Sequence, residues 1–186
     1  MRYELTFAGS GGQGILLMGQ LLSKASVQEG NMAAWIPSYG AAMRGGTANC
    51  SVVLSDKRIA SPLVEKPDML IAMNDLSLKK FEDSVKVGGI IVVNSSIITT
   101  EVKRTDVKVY KIDTQKAAEG LGNTRVANIV MFGVVVALSK MVKKEAALEL
   151  VEHWFMEKYP DKKELATLNC KAANVGMELA ESLEGK

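Results

Sequence analysis

Hydrophobic and polar positions repeat with two different periods along the chain, and segments with one period alternate with segments with the other. Apolar residues at alternate positions predict a strand over residues 3–8, and apolar residues spaced by three and four predict a helix over 13–28. Further strands are predicted at 32–36, 47–54, 69–73, 90–93 and 107–112, with a helix at 76–85. Because strands and helices alternate, the pattern indicates an α/β protein with a parallel sheet.

Two details of the pattern refine this sheet. Asp56 and Lys57 lie in the middle of Ser51–Ile59 and predict a hairpin turn with a short return strand, so we expect a mixed sheet. In the last predicted strand, Val107 and Val109 alternate with lysines, which is typical of a strand at a sheet edge.

The C-terminal third of the chain is predicted to be helical, over 114–120, 125–142, 144–158 and 162–183. Residues from Ile129 to Leu138 are all apolar or glycine, a run shorter than the roughly 20 residues that span a bilayer. A helix that is apolar on every side must be covered on every side. The other C-terminal helices could cover this helix. Alternatively, a second protein chain covers it, either another copy in a homodimer of the isolated chain or a partner subunit.

The last helix has its own apolar stripe. Its members recur at spacings of three and four and are Leu165, Leu168, Ala172, Val175, Leu179 and Leu183. No linker divides the 186 residues, so we predict a single domain over 1–186. Its predicted fold is a three-layer, Rossmann-like α/β fold with a mixed, mostly parallel sheet, helices on both faces and a helical C-terminus.

Composition excludes several functions. The net charge is +2 and no basic block is long or one-sided, so we expect no nucleic-acid binding. The chain opens on a strand pattern in place of a signal peptide, so we expect a cytoplasmic protein with no membrane segment. Cys50 and Cys170 are the only cysteines and His153 is the only histidine, whereas iron–sulfur clusters need about four thiolates in short spacings. We therefore expect no metal site and no cluster held by this chain alone.

A glycine-rich turn, Gly9-Ser10-Gly11-Gly12-Gln13-Gly14, lies between the first strand and the first helix. Its spacing matches the dinucleotide-binding fingerprint, which places phosphates at a helix N-terminus. That fingerprint also needs an acid at the end of the second strand, but the second strand ends in Ala34-Trp35-Ile36-Pro37 and Glu29 comes too early. The turn is therefore predicted to pack against another subunit or to receive a different phosphate-bearing ligand, with dinucleotide binding as the alternative.

A second glycine-rich segment occupies residues 37–50 and should lie at the same sheet edge. Gly40, Gly45 and Gly46 permit close backbone approach, Arg44 is a planar charged donor, and Tyr39 offers a flat apolar face. The segment either meets an anionic group, or it closes on its own backbone with Arg44 paired to a nearby carboxylate.

Four motifs together resemble one family, the gamma subunits of 2-oxoacid:ferredoxin oxidoreductases. They are Gly11-Gly12-Gln13-Gly14-Ile15, Pro37-Ser38-Tyr39-Gly40, Arg44-Gly45-Gly46-Thr47-Ala48-Asn49-Cys50 and Gly122-Asn123-Thr124-Arg125-Val126-Ala127-Asn128. The resemblance covers residues 5–140. One departure is Ala41-Ala42, where relatives often carry Pro-Glu.

The resemblance implies an enzyme that decarboxylates a 2-oxo acid oxidatively to its acyl-coenzyme A and reduces ferredoxin. It implies that thiamine diphosphate, magnesium and the iron–sulfur clusters belong to alpha, beta and delta partner subunits, and that this chain is a non-catalytic gamma subunit near the coenzyme A site. Among such gamma subunits it looks most similar to those of 2-oxoglutarate and branched-chain oxoacid enzymes, with 2-oxoglutarate favoured. The alternative is a free-standing, dinucleotide-binding oxidoreductase.

We expect no catalytic residue and no metal ligand in this chain. The residues expected to contact coenzyme A or a partner subunit come from the glycine-rich turn, the second glycine-rich segment and the later asparagine landmarks. They are Gly9, Gly11, Gly12, Gln13, Gly14, Ser38, Tyr39, Gly40, Arg44, Gly45, Gly46, Thr47, Asn123 and Asn128.

Overall fold

The computed structural model describes residues 1–39 and 47–184 and divides the chain into two compact units, Met1–Ile112 and Asp113–Lys186. The prediction of a single domain stays a prediction. In the first unit the strands are β1 (Arg2–Ser10), β2 (Met32–Tyr39), β3 (Thr47–Ser55), β4 (Met69–Ala72), β5 (Ile90–Asn94) and β6 (Lys108–Ile112), and the helices are α1 (Ile15–Gln28) and α2 (Asp75–Phe81).

The six strands form one mixed sheet in the order β2-β3-β1-β4-β5-β6. β4, β5 and β6 continue parallel from β1, whereas β3 runs antiparallel to both β1 and β2. Five strands therefore share one direction, which confirms the predicted mixed, mostly parallel sheet. β6 lies at the edge of the sheet, as its valine and lysine alternation predicts.

The predicted reason for the mixed sheet was wrong. Residues after Ser55 do not return as a strand; they form a bend at 56–57 and an irregular connection to β4. The antiparallel member is β3 itself, which inserts between β1 and β2. The Asp56 and Lys57 pattern indicates only that the chain bends there. Which strands pair depends on which edge of the growing sheet is still unpaired, and the local sequence does not record this.

Helices cover both faces of this sheet. Gly19 of α1 lies against Cys50 and Trp35, and Cys50 pairs with Phe7, so α1 covers the face that Phe7 occupies. Ala8 points to the opposite face because successive strand residues alternate. There it joins a buried cluster with Leu70, Ala72, Leu78, Val85, Ile91, Val93 and Ile98, in which Leu78 comes from α2. The layered α/β arrangement is thus confirmed within the first unit.

The second unit is helical throughout its described part. It contains α3 (Thr114–Gly120), a 3-10 turn (Thr124–Val126), α4 (Ala127–Ser139), α5 (Lys144–Lys158) and α6 (Lys163–Glu184). The predicted helix over 125–142 is therefore shorter at both ends, since its first turn is 3-10 and Lys140 has a left-handed φ of 56°. None of the described helices is both long and apolar enough to cross a membrane.

The apolar helix α4 is covered by neighbours in its own unit, chiefly α6, and also α3 and α5. The contact with α6 is a backbone contact: a Cβ on Gly133 would lie 1.9 Å from the Ala173 carbonyl oxygen, and one on Gly176 would lie 1.9 Å from that of Val130. The deepest face of α6 consists accordingly of small residues and one methionine, namely Ala166, Asn169, Ala172, Ala173, Gly176, Met177 and Ala180. The predicted leucine stripe is mostly half-buried.

Candidate functional site

The glycine-rich turn lies at the carboxyl end of β1, where the direction of chain winding reverses. From β1 the chain crosses through α1 to β2 on one side, and from the adjacent β4 it crosses through α2 to β5 on the other side. Ligands of open α/β sheets bind in the crevice outside the carboxyl ends of two such strands. The topology thus places a candidate crevice at the carboxyl ends of β1 and β4.

The turn uses its glycines where the backbone requires them. Gly12 and Gly14 have positive φ values of 94° and 72°, a region that other residues enter at a cost. Gly14 immediately precedes α1 and provides no side-chain cap. The first bond within the helix runs from the Met18 N–H to the Gly14 carbonyl, so the N–H groups of residues 15–17 have no acceptor inside the helix. N–H groups in this position at a helix N-terminus can meet an anionic group.

A cleft of about 370 Å³ opens beside this turn. The described residues that line it are Ser10, Gly11, Gly12, Gly14, Ile15, Leu16, Leu17 and Ala48. Its floor is therefore backbone and small side chains, with an apolar wall from the first turn of α1. Such a surface fits a group that is held by backbone N–H donors.

Two side-chain hydrogen bonds tie the turn to the end of β4, and two more hold the amide side chains that make them. Gln13 Oε1 accepts from the Ser10 N–H at 2.7 Å, and Gln13 Nε2 donates to the Met73 carbonyl at 2.9 Å. Asn74 Nδ2 donates to Ser10 Oγ at 2.7 Å, while Asn74 Oδ1 accepts from the Ser77 N–H at 2.8 Å and caps α2. The two carboxyl ends that form the crevice are thus joined by two amide side chains.

Gly9 is required for a different reason from the exposed glycines of the turn. It is buried in β1, and a Cβ there would lie 2.6 Å from Gln13 Oε1 and 2.6 Å from Ile15 Cδ1. Its missing side chain gives the Gln13 side chain room to fold back over the strand. Gly11 and Gly12, by contrast, are exposed at the surface of the cleft.

The described ends of the second glycine-rich segment lie at the same edge, as the sequence predicts. Thr47, at the start of β3, pairs with Ser10, and Ser38, near the end of β2, pairs with Asn49. Both Thr47 and Ser38 are exposed. The side chain of Tyr39 and the residues Gly40, Arg44, Gly45 and Gly46 lie outside the described residues.

The two asparagine landmarks belong to the second unit. Asn123 Oδ1 accepts from the Arg125 N–H at 3.0 Å and so starts the 3-10 turn before α4. Asn128 is half-buried in the first turn of α4. Each therefore has a local structural setting within its own unit.

The sheet order disfavours the dinucleotide alternative. In the dinucleotide fold the strand that carries the ribose-binding acid is the direct neighbour of β1, whereas here β3 lies between β1 and β2. The described end of β2 carries Pro37 and Ser38 and no carboxylate. A ribose at the turn would thus lack the partner that the fingerprint supplies.

The cysteines do not fit an iron–sulfur cluster. The Cys50 thiol is buried and donates to the Ile15 carbonyl at 3.6 Å, and burial raises its pKa to about 12. Burial, with a smaller contribution from Glu152, raises the pKa of Cys170 to about 11. Both are free, one in each unit, and no group of three or more metal-ligating side chains occurs among the described residues. Two thiols, one in each unit, are fewer than the roughly four that a cluster needs.

Sequence reasoning missed Ser10 and Asn74, which the structure brings together at the crevice. A signal for Asn74 was present: an asparagine directly after a buried strand and before an amphipathic helix is a typical N-cap. For Ser10 no local signal exists, because its partner is 64 residues away.

Comparisons with known proteins agree on one family. Residues 4–179 match the family model described as pyruvate ferredoxin/flavodoxin oxidoreductase. The chain is 38% identical, over 98% of its length, to the ketoisovalerate oxidoreductase subunit VorA of Methanothermobacter thermautotrophicus, of whose length it spans only 38%. It is 36% identical to the 2-oxoglutarate synthase subunit KorC of Methanocaldococcus jannaschii, and the match covers 98% of this chain and 96% of that subunit.

Among solved structures, the gamma subunit of a keto/oxoacid ferredoxin oxidoreductase from Geobacter sulfurreducens superposes with a TM-score of 0.80 at 31% identity. That match covers 97% of this chain and 99% of the other.

Proposed function

The chain belongs to the pyruvate ferredoxin/flavodoxin oxidoreductase family, and from this membership we propose that it is the gamma component of a 2-oxoacid:ferredoxin oxidoreductase. In the proposed reaction a 2-oxo acid and coenzyme A give an acyl-coenzyme A and carbon dioxide, while ferredoxin accepts the electrons. The observation that carries the proposal is the match over nearly the full length of both KorC and the Geobacter gamma subunit.

The proposed role is a supporting one within a larger enzyme. The chain has two cysteines, one in each unit, and the described residues contain no group of three or more metal-ligating side chains. Thiamine diphosphate, magnesium and the clusters would accordingly be held by alpha, beta and delta partners. Because free cysteines fit a reducing compartment, we place the complex in the cytoplasm.

For the substrate we propose 2-oxoglutarate, with a branched-chain 2-oxo acid as the second candidate. The activities after which the two relatives are named support these two acids, and KorC supports the first since the match spans almost its whole length. VorA supports the second with a slightly higher identity over a smaller part of the relative.

We propose that the cleft at the carboxyl edge meets an anionic group, either a phosphate of coenzyme A or a carboxylate of a partner subunit. N–H groups of residues 15–17 that have no acceptor within α1, exposed Gly11 and Gly12, and the reversal of winding at β1 and β4 support this site. Arg44, outside the described residues, is the candidate side chain for the same group.

The test is anaerobic affinity purification of a tagged chain from its native host. The affinity-purified material is expected to contain larger subunits with iron–sulfur absorption and to reduce ferredoxin when given coenzyme A and 2-oxoglutarate. Parallel assays with a branched-chain 2-oxo acid and with pyruvate rank the substrates. The tagged chain expressed alone is expected to show no turnover, and turnover by it comparable to the complex would contradict the subunit assignment.

The free-standing dinucleotide enzyme predicts a different result in the same purification. It would elute as a lone chain with a nicotinamide or flavin, and without iron–sulfur absorption. The position of β3 between β1 and β2 argues against it.

A further inference from the structure

Gln13 occupies an unusual position for a glutamine within a glycine-rich turn. Its side chain is half-buried and points back over β1 instead of outward, in space that the missing Cβ of Gly9 leaves open. A Cβ at Gly9 would approach Gln13 Oε1 to 2.6 Å, closer than real Cβ contacts come. Gly9 and Gln13 therefore act as a pair, since the glycine permits the position that the glutamine takes.

Both ends of the Gln13 amide are used. Oε1 accepts from the Ser10 N–H at 2.7 Å and Nε2 donates to the Met73 carbonyl at 2.9 Å. The amide thus bridges the last residue of β1 and the residue after β4, the two chain ends that border the crevice. Opposed donor and acceptor requirements fix its orientation, because a flipped amide would face the Ser10 N–H with its own N–H groups.

The remaining residues of the turn provide little restraint of their own. Gly11, Gly12 and Gly14 have no side chains to pack, and glycines carry more backbone freedom than any other residue. Among the residues that the structure describes, one backbone hydrogen bond within the turn, from the Gln13 N–H to the Ser10 carbonyl at 3.1 Å, closes it. The side-chain bridge from Gln13 is thus the main connection between the turn and β4, supported by Asn74 through Ser10 Oγ.

We propose that Gln13 is a positioning residue of the candidate site, which holds the glycine-rich turn in one conformation so that its anionic ligand or partner group meets preorganised N–H donors. The proposal rests on the proposed function for the identity of that group. Gln13 does not itself contact the group; it acts through Ser10 and the exposed glycines. A preorganised turn binds more tightly because the ordering cost is met before binding.

The first arm of the experiment measures the turn directly in the full chain. Gln13→Met keeps the length of the side chain and removes both hydrogen bonds, and Gln28→Met at the exposed end of α1 is the matched control. Amide hydrogen exchange by NMR is expected to be at least tenfold faster at Ser10 in Gln13→Met, with the amides of β4 unchanged. Gln28→Met should match wild type. Equal acceleration at Ser10 and in β4 would identify a purely structural residue and overturn the proposal, as would no change at Ser10.

The second arm measures binding in the assembled complex. Gln13→Met is expected to raise by at least tenfold either the KM for coenzyme A, if the group is a phosphate, or the dissociation constant for assembly, if it is a partner carboxylate. The kcat of the assembled enzyme should stay within twofold of wild type. Faster exchange at Ser10 with neither constant changed would overturn the positioning role.

A second variant covers the case in which Gln13→Met does not fold. Gln13→Glu keeps an acceptor for the Ser10 N–H, but it turns a carboxylate oxygen toward the Met73 carbonyl and adds a negative charge beside the turn. Exchange at Ser10 should therefore accelerate less than in Gln13→Met, while binding of the anionic group should weaken at least as much. If the wild-type chain does not assemble into an active enzyme, the proposed function fails, and the exchange arm alone decides whether Gln13 holds the turn.

Discussion

Replacing Gly133 with alanine tests the backbone contact between α4 and α6. The added Cβ would lie 1.9 Å from the Ala173 carbonyl oxygen, 2.8 Å from its carbonyl carbon and 3.1 Å from its Cα. All three atoms are backbone, so no side chain can rotate away. α4 and α6 would have to separate, and the small residues that line their contact would lose part of their packing.

The magnitude follows from two opposed effects. Overpacking of a close-packed interior costs about 1–3 kcal/mol, and a clash of backbone against Cβ belongs at the upper end of that range. Alanine recovers about 1 kcal/mol because it favours the helix over glycine. We therefore expect Gly133→Ala to lower the free energy of unfolding by roughly 2 kcal/mol, which is about 4–8 °C in melting temperature for a chain of this size.

Urea denaturation followed by circular dichroism measures this change, and Gly120→Ala is the matched control. Gly120 is the last residue of α3 and does not have a left-handed φ. A Cβ added to Gly120 would have no heavy atom within 4 Å. Its replacement should leave stability unchanged or raise it by up to about 1 kcal/mol. Equal stability of Gly133→Ala and Gly120→Ala would refute the backbone contact between α4 and α6. Gly176→Ala should resemble Gly133→Ala, and the double variant should lose less than the sum, because the helices separate only once.

Three further predictions concern other parts of the chain. The thiols of Cys50 and Cys170, with pKa values raised to about 12 and 11, should react slowly with iodoacetamide in the native protein near pH 7 and rapidly in urea; fast native labelling of Cys50 would contradict its burial. For Glu4, burial raises the pKa, but the hydrogen bonds and charges of Arg2 and Lys86 outweigh it, so the pKa is lowered. The stability that Glu4 contributes is present above the ordinary carboxyl pKa and is lost as the pH falls through the lowered pKa of Glu4. Urea midpoints measured between about pH 7 and 3 should therefore fall less steeply with pH for Glu4→Gln than for wild type. Identical slopes for the two proteins would rule this out. Asn74→Ala removes the cap of α2 and should lower the free energy of unfolding by about 0.5–2 kcal/mol in the same urea assay, while Asn74→Ser should recover most of the loss, and an equal loss in both variants would show that capping is not its main role.

The glycine-rich turn shows how far local sequence carries the site. Its place between β1 and α1, and the positive φ of Gly12 and Gly14, follow from a glycine pattern between a period-two and a helical segment. The contact of Gln13 with Met73 does not follow, because Met73 is 60 residues away and joins it only through strand pairing. The requirement for glycine at position 9 does not follow either, because it depends on the space that the Gln13 side chain occupies.

The sequence by itself determined the type and position of most elements, the alternation that makes the sheet mostly parallel, and the apolar helix that needs full cover. These depend on the period of hydrophobic residues and on turn chemistry, which act over a few neighbouring positions. Only the tertiary structure decided that β3 inserts antiparallel between β1 and β2, and that α6 presents its small residues, not its leucines, to α4. The physical reason is the same in both cases. Strand order and helix spacing depend on which surfaces fit together at close range after the chain has folded back on itself. The sequence pattern shows which residues are apolar, but it does not show which backbone segments will approach them.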